Sequence, residues 1–181
     1  MNFFLMGRLV KSDATGLYRR SHRFTPTKTG ELFPTEFEGP FIAELDSDNV
    51  NGSFPTFYES PAVIGKKEFY QDLREIGIDN IEVHDVEIRD KVNNKTIGGY
   101  LLLNIIGRVN CAVLDQSDLK TLGPGMNVID DLVIDTSKIP SGLDLFLEAN
   151  DTDNIIISER VYTHLQSKGY TDIYFEKLQT I

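Results

Sequence analysis

The sequence has little of what marks several common classes of protein. It contains one cysteine, Cys111, which excludes an internal disulfide and a thiolate metal site. No apolar run approaches the roughly 20 residues that cross a bilayer. The first ten residues are apolar but lack the basic start, the longer apolar stretch and the cleavage site of a secretory signal. We therefore expect an N-terminal strand, and a cytoplasmic protein without membrane contact.

Positive charge is also scarce. The chain has 18 Lys and Arg against 28 Asp and Glu, a formal net charge of −10. Nucleic-acid-binding proteins usually carry a basic excess, so we expect no nucleic acid partner. Residues 31–60 hold seven acids and no Lys or Arg. One interpretation of this charge is that it speeds association with a basic protein partner. The alternative interpretation is that it only keeps the protein soluble.

No local motif for catalysis or metal binding occurs. The histidines, His22, His84 and His164, share no metal-ligand spacing, and neither a phosphate-binding loop nor a nucleophile elbow is found. Asp151 and Asp153 resemble part of a calcium loop, but its central glycine and closing glutamate are missing. We predict no enzyme activity, metal or cofactor. The alternative is an enzyme or small-ligand protein whose site assembles from distant residues, among them the histidines.

Length and patterning predict one domain over residues 1–181. Residues 1–60 form an irregular part with strands and loops, and residues 61–181 form the core. The one basic cluster, residues 18–23, either binds an anion or pairs with the acids that follow it. Within the core, residues 100–106 are apolar on both faces, which is typical of a central strand. Residues 108–114 and 127–134 are further strand candidates.

Residues 61–88 predict an extended segment, a helix and a strand. Gly65 is placed to begin the helix, and Gly77 to end it. Apolar residues recur between them at helical spacing, namely Phe69, Tyr70, Leu73 and Ile76. In the following strand the apolar alternation changes phase between Val83 and Val86, which indicates a bulge.

Residues 153–178 repeat this order of elements. Ser158 is a good N-cap, Val161 and Leu165 form an apolar stripe, and Gly169 ends the helix. The two stretches align without a gap at an offset of 92 residues. We interpret them as an internal duplication, although any short amphipathic helix that ends in glycine before a strand gives a similar pattern. The predicted fold class is α+β, with a mixed, mainly antiparallel sheet and a few short helices packed on it.

The C-terminal third carries a resemblance. Ile129-Asp-Asp-Leu-Val-Ile-Asp-Thr-Ser-Lys-Ile-Pro140 leads to Ile155-Ile-Ile-Ser-Glu-Arg160, then to a helix, Gly169 and a strand. This order resembles a family of bacterial immunity proteins of polymorphic and contact-dependent toxin systems, formerly a domain of unknown function. The resemblance covers about residues 55–178. It implies a protein that neutralises a cognate toxin by direct contact, and it carries over no catalytic residue.

An immunity protein with this charge would present acids to a basic toxin. The acids that we predict to face the partner are Glu36, Glu38, Glu44, Asp46, Asp48, Asp130, Asp131, Asp144, Glu148, Asp151 and Asp153. A structural or oligomeric protein that uses an exposed sheet edge is a further alternative.

Overall fold

Strands dominate the computed structural model, which describes residues 1–9, 17–19, 28–33, 40–45, 52–59, 62–123 and 126–181. These residues form two α-helices, α1 (Lys67–Glu75) and α2 (Glu159–Ser167), and a 3-10 turn at Thr136–Lys138. The strands are β1 (Phe3–Arg8), β2 (Leu17–Arg19), β3 (Phe41–Leu45), β4 (Phe57–Tyr58), β5 (Ile64–Lys66), β6 (Ile81–Asp90), β7 (Lys95–Ile97), β8 (Tyr100–Ile105), β9 (Arg108–Val109), β10 (Asp118–Gly123), β11 (Met126–Asp130), β12 (Val133–Ile134), β13 (Leu145–Glu148), β14 (Ile155–Ser158), β15 (Ile173–Lys177) and β16 (Gln179–Thr180).

The strands form two large sheets and two small pairs. One sheet has the order β15-β1-β14-β13-β9, and the other has the order β2-β3-β6-β8-β5-β4, with β7 also paired to β6. Strands β10 and β11 form an antiparallel hairpin, and β12 runs parallel to β16. Pairing is mainly antiparallel, so the predicted α+β class with a mainly antiparallel sheet is confirmed. The predicted central strand is β8, which lies between β5 and β6.

Side chains that alternate along the strands divide the interior into three cores. The inner faces of both sheets and both helices share a central core. The opposite face of the seven-stranded sheet carries a first outer core, which includes Phe33, Phe41, Tyr58, Ile64 and Leu102. The opposite face of the five-stranded sheet carries a second outer core, which includes Phe3, Ile134, Phe146, Ile156 and Leu178.

This layering explains the change of phase along β6. Ile81 packs in the central core, whereas Ile88 packs in the first outer core on the opposite face. The strand pairs with β8 over residues 81–85 and with β3 over residues 86–89, without a register shift in either pairing. The predicted bulge is therefore wrong, because the strand instead moves from one core to another.

The two helices repeat each other in length, burial and termination. Residues 67 and 159, where they begin, differ by 92, and each helix spans nine residues. Each buries two side chains four residues apart, Phe69 and Leu73 in α1, and Val161 and Leu165 in α2. A glycine follows each helix in the left-handed conformation, with φ of 79° at Gly77 and 77° at Gly169. The predicted helices and their glycine ends are confirmed.

Each helix belongs to a unit of three strands whose central strand comes from the other half of the chain. In the first unit, β8 lies between β5 and β6, and α1 connects those two strands in the chain. In the second unit, β1 lies between β14 and β15, and α2 connects them. Leu102 of β8 lies opposite Ile64 and His84. Leu5 of β1 lies opposite Ile156 and Glu176, which follow Ile64 and His84 by the same 92 residues. The two units therefore share one strand register.

Three local predictions need correction. Gly65 lies in β5 rather than at the helix start, and a Cβ there would lie 2.6 Å from Leu103 Cδ1. Within residues 108–114 the strand ends at Val109, and Ala112 forms an isolated bridge to Ile134. Residues 127–134 are divided between β11 and β12, because Asp131 adopts a positive φ of 47°. Cys111 is fully buried, as expected, and burial raises the pKa of its thiol to about 12.

Candidate functional site: an acidic groove

The structure brings four of the predicted acids together at one concavity on the second unit, which we call the acidic groove. The groove has a volume of about 370 Å³ and opens on the outer face of the five-stranded sheet. It is lined by Leu5, Val128, Ile129, Asp130, Asp131, Leu132, Asp151, Asp153, Asn154, Glu176 and Leu178. Of these, sequence analysis singled out Asp130, Asp131, Asp151 and Asp153, and it missed Glu176.

The groove combines an apolar floor with a charged rim. Leu5, Leu132 and Leu178 belong to the second outer core or pack against it, and they provide the floor. The rim acids Asp130, Asp131, Asp153 and Glu176 are exposed, and none of the described lining residues is Lys or Arg. A long side chain with an apolar stem and a cationic head matches such a surface.

Two lysines partly neutralise the rim from outside. Lys120 Nζ lies 2.6 Å from Asp130 and 3.3 Å from Asp118, so it spans the β10–β11 hairpin. Lys28 forms an ion pair with Asp153. Among the described residues, no cation forms an ion pair with Asp131 or Glu176. These two carboxylates are therefore the best placed to receive a cation from a partner.

The carboxylate of Glu176 has a neutral donor beside it. The hydroxyl of Tyr174 donates a hydrogen bond of 2.5 Å to Glu176 Oε2. This bond raises the pKa of Tyr174, because deprotonation would place a second negative charge beside the carboxylate. Both residues are exposed on β15, so they add negative charge and hydrogen-bonding capacity at one side of the groove.

Asp151 shapes the groove from within rather than facing a partner. It is 8% exposed and accepts hydrogen bonds from the backbone N–H of Ile129 at 3.0 Å and of Asp153 at 3.1 Å. These bonds tie β11 to the loop before β14. Removing the carboxylate would leave the buried N–H of Ile129 without its acceptor.

Glu148 has a similar internal role. It is completely buried, and its carboxylate accepts from the backbone N–H of Ala112, Asn150 and Asp151 at 3.3, 2.5 and 3.0 Å. The side chain therefore closes the turn that leads to the groove. Burial corrects the prediction that Glu148 and Asp151 face a partner, since buried carboxylates persist where the fold supplies hydrogen-bond donors.

The prediction for Asp144 is also corrected, because its side chain contacts the start of α2 and does not line the groove. It is 9% exposed, accepts from Ser158 Oγ at 2.5 Å and forms an ion pair with Arg160. Burial disfavours the charged form, but the bonds from Arg160 and Ser158 outweigh it, so the pKa of Asp144 is lowered. Ser158 in turn caps α2, as predicted, by accepting from the backbone N–H of Val161.

The remaining predicted acids do not join the groove. Glu44 lies on β3 of the other sheet, where Lys91 Nζ approaches its carboxylate to 3.0 Å. Glu36, Glu38, Asp46 and Asp48 lie outside the described residues. The predicted pairing of the basic cluster at residues 18–23 with these acids also lies outside them.

The two described histidines lie on separate elements. His84, on β6, stacks on Phe33 with ring centroids 5.2 Å apart, and its Nε2 lies 3.1 Å from Glu82. His164, on α2, lies near Asp72 and Glu75 of α1. His22 lies outside the described residues. The described positions therefore provide no shared site for the histidines.

The cluster of Asp72, Glu75 and His164 could hold a metal ion by its geometry. The chain, however, places its own cation there, since Lys168 Nζ lies 2.8 Å from Asp72 and 2.6 Å from Glu75. Tyr170 also donates to Asp72 at 2.5 Å. The cluster thus links α1 to α2. Sequence analysis missed it, because its members are separated by about one repeat length and share no local pattern.

A second cavity, also of about 370 Å³, lies where the two units meet. Lys66 and Asp172 both line it, so it favours neither sign of charge in a partner. The carboxylate of Asp172 is already engaged by Thr56, whose backbone N–H and Oγ1 donate at 2.6 and 2.7 Å. The acidic groove is therefore the more selective of the two sites.

Comparisons with protein-family models and with curated proteins give no match. Among the described residues, no helix is both long and apolar enough to cross a membrane.

Proposed function

We propose that this protein is an immunity protein, which binds a toxin protein directly in the cytoplasm and neutralises it. The observation that carries the proposal is the acidic groove, where four exposed carboxylates surround an apolar floor. Such a site favours a basic partner, because the groove acids attract positive charge and repel acidic competitors. The resemblance of residues 55–178 to immunity proteins supports the same function.

The groove suggests how the two proteins could associate rapidly and then form a long-lived complex. The net charge of −10 steers a basic toxin towards the protein over distances set by the ionic strength. The leucines of the floor then provide apolar contact that salt does not screen. We expect salt to slow association strongly, and to affect the lifetime of the bound complex less.

A co-expression experiment tests the proposal. The tagged protein is produced together with the product of the neighbouring gene, and growth and co-purification are both measured. Rescue of growth together with a complex that weakens at high salt is the expected result. The proposal would be contradicted for that pair if the product of the neighbouring gene inhibits growth but is neither neutralised by the protein nor co-purified with it.

We also propose that the two units arose by internal duplication and that the copies exchanged their central strands. The shared offset of 92 residues and the shared strand register support this origin. The similarity extends to the flanking strands. In the second unit β12 runs parallel to β16, with Val133 opposite Gln179, and in the first unit β3 runs parallel to β6, with Ile42 opposite Glu87. Residues 87 and 179 again differ by 92.

A further inference from the structure

The first unit holds the side chain of Phe33 at the position where the second unit has its groove. Phe33 is buried in the first outer core and stacks on His84. Its backbone N–H donates to Glu82 Oε2 at 2.9 Å, and Asn104 Nδ2 donates to the carbonyl of Glu31 at 2.8 Å. Residues 30–33 therefore lie across β6 and β8 on the outer face of the sheet.

The strand registers identify the equivalent position in the second unit. His84 and Leu102, beneath Phe33, correspond to Glu176 and Leu5. Both of these residues line the acidic groove. Glu82 and Asn104, which bind the backbone of Phe33 and Glu31, correspond instead to Tyr174 and Gly7, which do not line the groove. The groove is thus the counterpart of the surface beneath the ring of Phe33 alone, and no described residue fills it.

The chemistry of the two positions differs in one respect. Where the first unit offers His84 to the ring of Phe33, the second unit offers Glu176, with Asp130, Asp131 and Asp153 around it. The leucine floor is retained. Arginine fits this combination better than phenylalanine, because its stem covers apolar surface and its planar head can bond two carboxylate oxygens at once.

The geometry points to an arginine-bearing peptide segment of the partner protein as the occupant of the acidic groove, with the arginine side chain over β15 and β1 at the position that the ring of Phe33 takes over β6 and β8. This inference rests on the proposed function, since it names the part of the toxin that the groove would bind. The volume of about 370 Å³ leaves room for a short segment rather than a single side chain.

A peptide titration tests the inference on the full chain. The probe is a capped pentapeptide, glycine-leucine-arginine-leucine-glycine, and the control probe carries citrulline, a neutral isostere, in place of arginine. Amide chemical shifts of the isotope-labelled protein are recorded at low salt. We expect shifts at residues 128–132 and 151–154, and binding of the citrulline peptide weakened about tenfold or more.

Matched variants locate the charge that is responsible. The double variant Asp131→Asn, Glu176→Gln removes two groove charges, and Asn tolerates the positive φ at position 131. The control Glu68→Gln, Asp79→Asn removes two exposed charges outside the groove. We expect the groove variant to weaken peptide binding about tenfold and the control to leave it unchanged.

Several results would overturn the inference. These are shifts that map elsewhere, equal binding of both peptides, no shifts at millimolar peptide, or binding that requires prior removal of the chain's own Arg20 and Arg23. The last result would make the chain itself the occupant. Growth rescue by the groove variant as strong as that by the natural protein would overturn the role of the groove and leave the proposed function intact.

Discussion

Leu5 and Leu102 occupy equivalent central positions in the two sheets, although they lie 97 residues apart in the chain. Each is flanked by two strands that lie in the opposite half of the chain, since Leu5 completes the C-terminal unit and Leu102 the N-terminal unit. The two halves are therefore interlocked, because each unit lacks its central strand without the other half.

The interlocking predicts that neither half folds alone. Division of the chain in the exposed turn at Asn93-Asn94 leaves each fragment without the central strand of its unit. We expect each fragment alone to show no cooperative unfolding by circular dichroism, and an equimolar mixture to recover it. Cooperative unfolding of the isolated fragment 94–181 would contradict this account.

Truncation of a side chain should lower the free energy of unfolding most on the central strands. Leu102→Ala removes a completely buried side chain from β8, and we expect it to lower the free energy of unfolding by about 2–5 kcal/mol. Val83→Ala on the adjacent strand is the control, because Val83 is 37% exposed, and its cost should remain below about 1 kcal/mol. Equal costs in chemical denaturation would show that the assigned cores are wrong.

The helix ends give a prediction about backbone conformation. A Cβ added at Gly77 or Gly169 would have no atom within 4 Å, so Gly77→Ala or Gly169→Ala can destabilise the protein only through the positive φ. We expect each substitution to lower the free energy of unfolding by about 1–2 kcal/mol. Gly98 has the same open surroundings without a positive φ, so Gly98→Ala should be neutral or slightly stabilising. Thermal unfolding of the three variants measures this difference. A cost at Gly98 as large as at Gly77 would contradict it.

Asp144 predicts a dependence of stability on pH. Its pKa is lowered on folding, so its ionised form stabilises the fold fully above the ordinary Asp value of about 3.9, and this contribution is lost as the pH falls through the lower folded value. Asp144→Asn should therefore cost about 1–3 kcal/mol at pH 7, and the difference should shrink as the pH falls below the ordinary Asp value of about 3.9. Denaturant titrations above and below that pH measure the difference, with Asp79→Asn as the exposed control. A difference that stays constant between the two pH values would contradict the assigned role.

Local elements were predictable because their signals are local. The apolar spacing from Phe69 to Leu73, the cap at Ser158 and the glycines after both helices predict α1 and α2 without knowledge of the rest of the chain. The run at residues 100–106, which is apolar except for Asn104, likewise predicts a strand buried on both faces.

The remaining features depend on contacts that are distant in sequence. The phase change in β6 suggests a bulge in sequence, but it arises because Ile81 and Ile88 belong to cores on opposite faces. Glu148 and Asp151 resemble surface acids until the backbone N–H groups that bind them are known. Glu176 was missed for the same reason, since its strand reaches the other groove acids only through the pairing of β15 with β1.

The affinity of the protein for the product of its neighbouring gene tests the central claim most directly. Calorimetry compares the natural protein with two variants of equal net charge, Asp131→Asn, Glu176→Gln in the groove and Glu68→Gln, Asp79→Asn outside it. We predict that the groove variant raises the dissociation constant about tenfold to a hundredfold, while the control changes it less than about threefold. Equal effects of the two variants would show that net charge, and not the acidic groove, determines binding, and would contradict the account.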